Sequence, residues 1–199
     1  MLPPCPICGD VKRVSLYDAS LHVYRCRQCT HAFTVVPKQD QETYAPEYFS
    51  AAHKNWFLHP NIRLFTSIAR FLKGNFAGRA ISILDVGCGN GDFLKFVGRA
   101  YPRAQLSGID VASVEKFPFR FFHGDFHTFA FPEQCTAIVG LMVVEHVEDP
   151  RAFVQKIHSV LSPDGVVILD TIDSGSFLYR LAGALRRIGV RGPFAQLYD

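Results

Sequence analysis

The chain has 199 residues, 48% of them hydrophobic and 20% charged, with a formal net charge of +3. This length holds one α/β domain and a small appendage, and the charge is too small to argue for a nucleic-acid partner by itself. The longest apolar run, around Ala137 to Val144, is too short to span a bilayer, and no secretory-type leader opens the chain, so a cytoplasmic protein with reduced or metal-bound cysteines is expected.

Residues 1–36 hold four of the six cysteines. Cys5-x-x-Cys8 and Cys26-x-x-Cys29 are separated by 17 residues, the spacing of a four-thiolate zinc site. Each pair sits on a tight turn that aims two sulfurs at one point, and Gly9 suits the first turn. Four thiolates leave no open coordination position, so the expected zinc is structural: it stabilises a ribbon too small for a core of its own. His22 and His31 then read as neighbours of the ligands rather than as ligands. "LHVYRC" and "HAFTVV" are short β-like runs, and a Pro- and charge-rich connector, residues 37–59, follows the ribbon.

From residue 60 to 199 helical and strand-like patterns alternate, as in βαβ units. "NIRLFTSIARFLK" places Ile62, Phe65, Ile68 or Ala69, and Leu72 on one helical face, ending at Gly74-Asn75. "AISILDVG" reads as a buried strand, and "GDFLKFVGRAYP" as a helix closed by Pro102. "AQLSGID", "FRFFHGD", "TAIVGLMVV" and "GVVILDTI" supply four more strands. Before the last of these, "DPRAFVQKIHSVLSPDG" reads as a helix running from an acid-proline start to Pro163-Asp164-Gly165. Apolar strands bounded by helices predict a parallel sheet covered on both faces. In "FLYRLAGALRRIGV", Phe177, Leu181, Leu185 and Ile188 share one side of a helix, with Arg180, Arg187 and Arg191 elsewhere. A solvated face, an anionic substrate, nucleic acid or a membrane surface all suit it.

"ILDVGCGNGDF" carries the most chemistry. Gly87, Gly89 and Gly91 follow a strand and open a helix. A dinucleotide fingerprint needs G-x-G-x-x-G, but Asp92 stands at its last position. Asp85 would repel a pyrophosphate and welcome an ammonium group. The absence of Gly-Lys-Ser/Thr excludes a nucleoside-triphosphate loop. Cys88 has no paired base in the motif and reads as a small residue that fits the turn.

"ILDVGCGNGDFL" resembles motif I of class I S-adenosylmethionine-dependent methyltransferases, and the similarity continues through "GID", "EHVEDP" and "LSPDGVVILDT", over roughly residues 80–172. The resemblance implies a Rossmann-like, doubly wound and mostly parallel sheet with helices on both faces, preceded here by the ribbon. It implies that the cofactor's aminocarboxylate lies over Gly87, Cys88, Gly89 and Gly91, near Asp85. Asp110, 25 residues after Asp85, would accept the ribose hydroxyls beside Val111. "FHGDFHTF" resembles the adenine-covering segment, with Asp125 taking the exocyclic amine and Phe126 either touching the ring or packing in the core. "LMVVEHVEDP" resembles the segment lining the methyl-transfer side, so Leu141 joins the pocket and His146 becomes the candidate base. Glu145 reads as a cofactor-side or structural contact.

Proteins of this type with an N-terminal ribbon and a Tyr-x-x-x-Tyr-Phe connector, here Tyr44 to Phe49, are often associated with sugar, polysaccharide or small-molecule pathways. His53, His59, Tyr44 and Tyr48 could line the substrate side. The departures are Cys135-Thr136 where an acid commonly opens the fourth strand, Pro-Asp-Gly for Pro-Gly-Gly, and no room for a full helix between Asp110 and Phe119. The closing antiparallel hairpin is missing before Asp199, which suggests a fragment.

The resulting expectation is methyl transfer to a small-molecule acceptor, a saccharide or lipid-linked precursor. The alternatives are an RNA methyltransferase that uses the ribbon as a clamp and a non-catalytic scaffold. The ribbon's Lys12, Arg13, Arg25 and Arg27 are only mildly basic and lack an aromatic stacking platform. The sequence does not specify an oligomeric state.

Overall fold

The computed structural model describes residues 2–19, 22–35, 60–112, 117–173, 175–190 and 192–193. The connector of residues 37–59, with Tyr44, Tyr48, Phe49, His53 and His59, lies outside the described residues. The chain forms two compact units, one of residues 42–171 and one that joins residues 1–41 to residues 172–199. The C-terminal segment, expected to belong with the sheet, is thus grouped with the ribbon.

In the larger unit the first helix, α1, spans Ile62–Asn75, capped by the Asn61 side chain on the Leu64 N–H. Five strands follow: β4 (Ser82–Val86), β5 (Gln105–Asp110), β6 (Arg120–His123), β7 (Cys135–Leu141) and β8 (Leu161–Asp170). All are parallel, in the order β6-β5-β4-β7-β8. Helix α2 (Asp92–Ala100) joins β4 to β5, and α3 (Pro150–Val160) joins β7 to β8.

The period-2 alternation of the strands sorts the core into two layers. Ile83, Ala137 and Val139 pack with Phe65, Ile68 and Leu72 of α1 and Phe93, Leu94 and Val97 of α2. Leu84, Val86, Ile109 and Ile138 pack on the other face with Phe153, Ile157 and Val160 of α3. Both sheet faces are covered, as the apolar strands require. Ile62, expected on the inner face of α1, is 50% exposed because it lies in the first turn. At the N-terminal ends of β4 and β7, Thr136 and Ser82 bond reciprocally: Ser82 N to Thr136 Oγ1 at 2.9 Å and Thr136 N to Ser82 Oγ at 3.0 Å. A neutral cross-strand lock therefore stands where an acid is usual.

Two elements end earlier than their patterns suggest. Helix α3 stops at Val160, not at Pro163-Asp164-Gly165, because Leu161 is already extended (φ −79°, ψ 136°) and pairs with Cys135. Strand β7 stops at Leu141, since Met142 adopts φ 55° and sends the apolar "VV" into a single 3-10 turn, Val144–His146.

In the smaller unit β1 (Val14–Asp18), β2 (Val23–Cys26) and β3 (Ala32–Thr34) form an antiparallel sheet in chain order. Strand β1, absent from the sequence reading, buries its ends, Val14 and Asp18, and exposes Leu16, and an irregular register between Leu16 and Asp18 breaks any period-2 pattern. The unit's small core holds a cluster of Cys5, Val14 and Cys26, with Cys8, Cys29, Tyr24 and Phe33 against them, and buries Val23 and Ala182 besides. Helix α4 (Phe177–Arg187) completes the unit: Gly183 lies against the Tyr17 hydroxyl, and Arg186 forms an ion pair with Asp18.

Candidate functional site

Parallel strands deliver all their C-terminal ends to one edge, and the order reverses at β4, with β5 on one side and β7 on the other. Such a switch point is where open α/β sheets build their sites. The glycine turn lies there. Gly87, Gly89 and Gly91 have φ of 68°, 49° and 70°, left-handed values that glycine adopts without strain. Packing adds a second reason at two of them. A Cβ on Gly87 would stand 2.5 Å from Val143 Cγ2, and one on Gly91 2.4 Å from Phe119 Cζ.

The hydrogen bonds of this turn decide against a phosphate. Gly87 and Cys88 both donate to the Ile109 carbonyl, at 2.8 and 3.2 Å, and Gly91 donates to Cys88 O at 2.8 Å. Gly89 donates to Asp110 Oδ2 at 2.8 Å. A phosphate cradle presents such N–H groups to its ligand; here four are already engaged.

Asp110 ends β5 with its carboxylate held by two backbone donors, Gly89 N and Ala112 N, the latter at 2.9 Å to Oδ1. A carboxylate has about four acceptor positions, so about two stay available for hydroxyl groups. Val111 follows, 44% exposed, and its carbonyl meets His123 Nε2 at 3.0 Å. Asp85 lies on the same sheet face as Ile83 and is 3% exposed. Burial, reinforced by the Asp110 charge, pushes its pKa well above the ordinary carboxylate value, so it favours the neutral form. Cys88 is also buried, with its Sγ where a Cβ of Gly108 would stand. Burial and the charges of Asp85 and Asp110 raise its thiol pKa strongly, the opposite of what activates a nucleophile.

Asp125 is exposed and accepts the His127 N–H at 2.7 Å, which shapes the turn after β6. Phe126 is 6% exposed, edge-on to Phe153 at 5.3 Å and beside Phe131 at 5.6 Å. Its ring is a core element, the bland one of the two roles open to it. Leu141 ends β7, half-buried against the α1–α2 layer. His146 is exposed on the 3-10 turn, and its backbone N–H bonds Val143 O. Glu145 accepts the Thr171 hydroxyl on Oε2 at 3.0 Å, while its buried Oε1 has no hydrogen-bond partner. A surface cavity of about 300 Å³ lined by Phe131, Glu133 and Lys156 belongs to the opposite end of β7 and plays no part here.

Sequence reasoning missed Phe117 and Phe119. Their rings stack 4.7 Å apart over the start of α2, and both lie against Gly91. In a chain with 18 phenylalanines they carried no distinguishing signal.

The four cysteines of the ribbon converge as their spacing predicts, with all sulfurs within 4.8 Å of one another. Cys5 and Cys29 sulfurs are 3.5 Å apart, as are those of Cys8 and Cys26. A tetrahedron with zinc–sulfur bonds of about 2.3 Å has sulfurs about 3.8 Å apart, so the cluster fits the ion. Each Cys-x-x-Cys is followed by a left-handed residue, Gly9 (φ 74°) or Thr30 (φ 62°). Burial disfavours the Cys26 thiolate, but the N–H groups of Cys29 and Gln28 outweigh it and bring the thiol down to about 7.

A family model described as a methyltransferase domain matches residues 59–198. Among curated proteins, the chain is 31% identical over 120 residues to the ubiquinone biosynthesis O-methyltransferase of Ruegeria pomeroyi, covering 54% of this chain and 46% of that protein. It is 28% identical over 127 residues to the enzyme of the same name from Pseudomonas syringae pv. tomato, covering 56% and 53%. The chain thus spans about half the length of the curated relatives it matches. Among solved structures, the plantazolicin methyltransferase BpumL, in complex with a desmethyl substrate analog and S-adenosylhomocysteine, aligns with a TM-score of 0.60 at 17% identity, over 77% of this chain and 63% of that one. CalS10, a S-adenosylmethionine-bound methyltransferase from Micromonospora echinaspora, aligns with a TM-score of 0.53 at 23% identity, over 67% and 59%. These two likenesses carry the fold, and the family match carries the membership: the chain belongs to the class I S-adenosylmethionine-dependent methyltransferases.

Proposed function

We propose that this protein transfers a methyl group from S-adenosylmethionine to a small-molecule acceptor, a saccharide or lipid-linked precursor, with a zinc-stabilised ribbon helping to shape the substrate side. The observation that carries the reading is Asp110, fixed by two backbone N–H groups beside a glycine turn whose own donors are spent. That arrangement suits a ligand offering hydroxyls and an ammonium group, not a phosphate.

The cofactor, when bound, supplies a methyl on a sulfonium centre, open to in-line displacement. The chain's own residues do the rest. Asp110 accepts the ribose hydroxyls, with Val111 beside them. Gly87, Cys88, Gly89 and Gly91 let the aminocarboxylate approach the backbone. Asp85, whose pKa burial and the Asp110 charge raise, is drawn toward the carboxylate when a cationic group arrives, because an adjacent positive charge favours the charged form. Asp125 takes the exocyclic amine of adenine, while Phe126 stiffens that turn from within the core. Leu141 lines the methyl-transfer side, and His146, exposed after β7, accepts the acceptor's proton. Cys5, Cys8, Cys26 and Cys29 hold the zinc, which has no open position and orders the ribbon. The curated relatives are named as biosynthetic O-methyltransferases, and CalS10 as an amino pentose methyltransferase, which supports a small acceptor.

The test is calorimetry with S-adenosylmethionine and S-adenosylhomocysteine on the whole chain. Asp110→Ala is expected to weaken binding at least about tenfold, as loss of charge-assisted hydrogen bonds does, and Asp110→Asn less. No binding by the wild type would leave the scaffold reading in place.

A further inference from the structure

Helix α4 is amphipathic in the wrong direction for a helix that packs by its apolar side. Its buried residues are two small ones, Ala182 and Gly183. This small face lies on the ribbon: Gly183 sits against the Tyr17 hydroxyl, and Arg186 reaches Asp18, which is 3% exposed. The Arg186 guanidinium also lies 5.8 Å from the Tyr17 ring centroid. The large apolar side chains point away. Phe177 is 76% exposed, Leu178 66%, Leu181 43% and Ile188 75%. Their spacing of i, i+1, i+4 and i+11 gathers them on one stripe. Orienting four large apolar groups into water is unfavourable unless something else covers them.

Charge says what covers them. From Gly175 to Leu197 the sequence has no aspartate or glutamate. Arg180 and Arg187, one heptad apart and both exposed, border the apolar stripe on one side. A second copy of the helix laid on this stripe would bring four arginines together. An anionic lipid surface instead accepts both features: apolar side chains enter the headgroup–acyl boundary, and arginines reach the phosphates along their aliphatic stems. At 11 residues α4 is too short to span, and no helix among the described residues is long and apolar enough to cross a membrane. We infer that α4 is an interfacial helix, fastened to the ribbon by the Asp18–Arg186 pair so that its outward face docks on an anionic membrane surface.

The inference stands on α4 and the ribbon alone, and calorimetry with S-adenosylhomocysteine reports separately on the methyltransferase reading. The experiment is co-sedimentation of the whole chain with vesicles of phosphatidylcholine, with or without phosphatidylglycerol. Binding to the anionic vesicles is expected, with little to the neutral ones. Phe177→Ser/Ile188→Ser, at two highly exposed positions that carry no fold, should weaken it at least about tenfold. Arg180→Gln/Arg187→Gln should weaken it by about tenfold or more and flatten its salt dependence. Four results would overturn the inference: no sedimentation, sedimentation indifferent to both variants, displacement of vesicles by total RNA, or a wild-type dimer that Phe177→Ser/Ile188→Ser returns to monomer. Zinc content and hydrogen-exchange protection of residues 14–34 and 177–187 equal to wild type show that the ribbon and α4 survived the substitutions.

Discussion

Asp18 and Asp85 are the buried charged residues among the described ones, each 3% exposed, and they show how differently the two units are held together. Asp18 ends a strand of the ribbon and meets Arg186, a full charge partner brought from the far end of the chain. Asp85 is the last residue but one of a central strand, and burial together with the neighbouring Asp110 charge suppresses its ionisation. One carboxylate is a fastener in a unit with almost no core. The other is a carboxyl beside a like charge that a large core can hold in place. A small unit needs specific bonds, and a large one tolerates an unfavourable group where chemistry wants it.

The largest effect should follow removal of the metal-binding sulfurs. Cys26→Ser, or chelation of the wild-type chain, is expected to unfold the ribbon, because Val14, Val23 and the cysteines themselves make too small an apolar core to hold it. The sheet unit has its own two-layered core and should keep a cooperative transition. Hydrogen exchange would show this as lost protection in residues 14–34 with β4 and β7 unchanged. Metal analysis of the wild type should return about one zinc per chain. Equal loss in both units would erase the contrast.

Breaking the ion pair comes next. Arg186→Ala removes the ion pair of the more deeply buried partner, Asp18, and should cost the smaller unit about 1–3 kcal/mol, the scale for losing a hydrogen-bonded charge at a buried carboxylate. Asp18→Ala should cost less, since Arg186 is 30% exposed and regains water. Replacing both with apolar residues should recover most of the loss, read as coupling in a double-mutant cycle from denaturation midpoints.

A third variant probes the sheet's glycine turn. Gly91→Val would force a side chain into a left-handed residue and into the Phe119 ring. It should weaken S-adenosylmethionine binding by about tenfold or more, at a stability cost of about 1–3 kcal/mol. Phe119→Ala placed in the same background relieves the ring clash and leaves the backbone strain. Partial rescue of stability would then assign the rest to the φ of 70°.

What the sequence disclosed divides along the same line. The sheet was legible because apolar runs and helical periods are local. The convergence of the four cysteines was legible because two Cys-x-x-Cys pairs at that spacing aim their sulfurs at one point, and Asp110 stands at the end of its strand where the resemblance placed it. The facts that were not legible are all long-range. Nothing local pairs Arg186 with Asp18, or sets Phe119 against Gly91. The face of α4 was read correctly as a stripe, but its direction depends on a partner more than 150 residues away. The early end of α3 was hidden because "VLSPDG" continues the apolar period into residues that the sheet captures.

The smallest effect concerns Asp85, and its sign is informative. A folded-state carboxyl pKa raised above the unfolded value of about 3.9 means that folding resists ionisation. Below that unfolded value Asp85 is neutral in both states and costs nothing. As pH rises from there through the raised folded value, the unfolded state sheds its proton first, and stability falls. Asp85→Asn removes this loss, so the empty chain should become more stable than wild type toward neutral pH, with the difference shrinking in acid, as urea midpoints at several pH values would show. The same variant should bind S-adenosylmethionine more weakly, because the cationic ligand is what makes an ionised Asp85 favourable. Wild-type binding should accordingly release protons where Asp85 starts neutral, measurable as a heat that depends on buffer ionisation enthalpy, and Asp85→Asn should abolish the release. A variant that lost stability at every pH would instead make Asp85 a fastener like Asp18, and the two units would then be built alike.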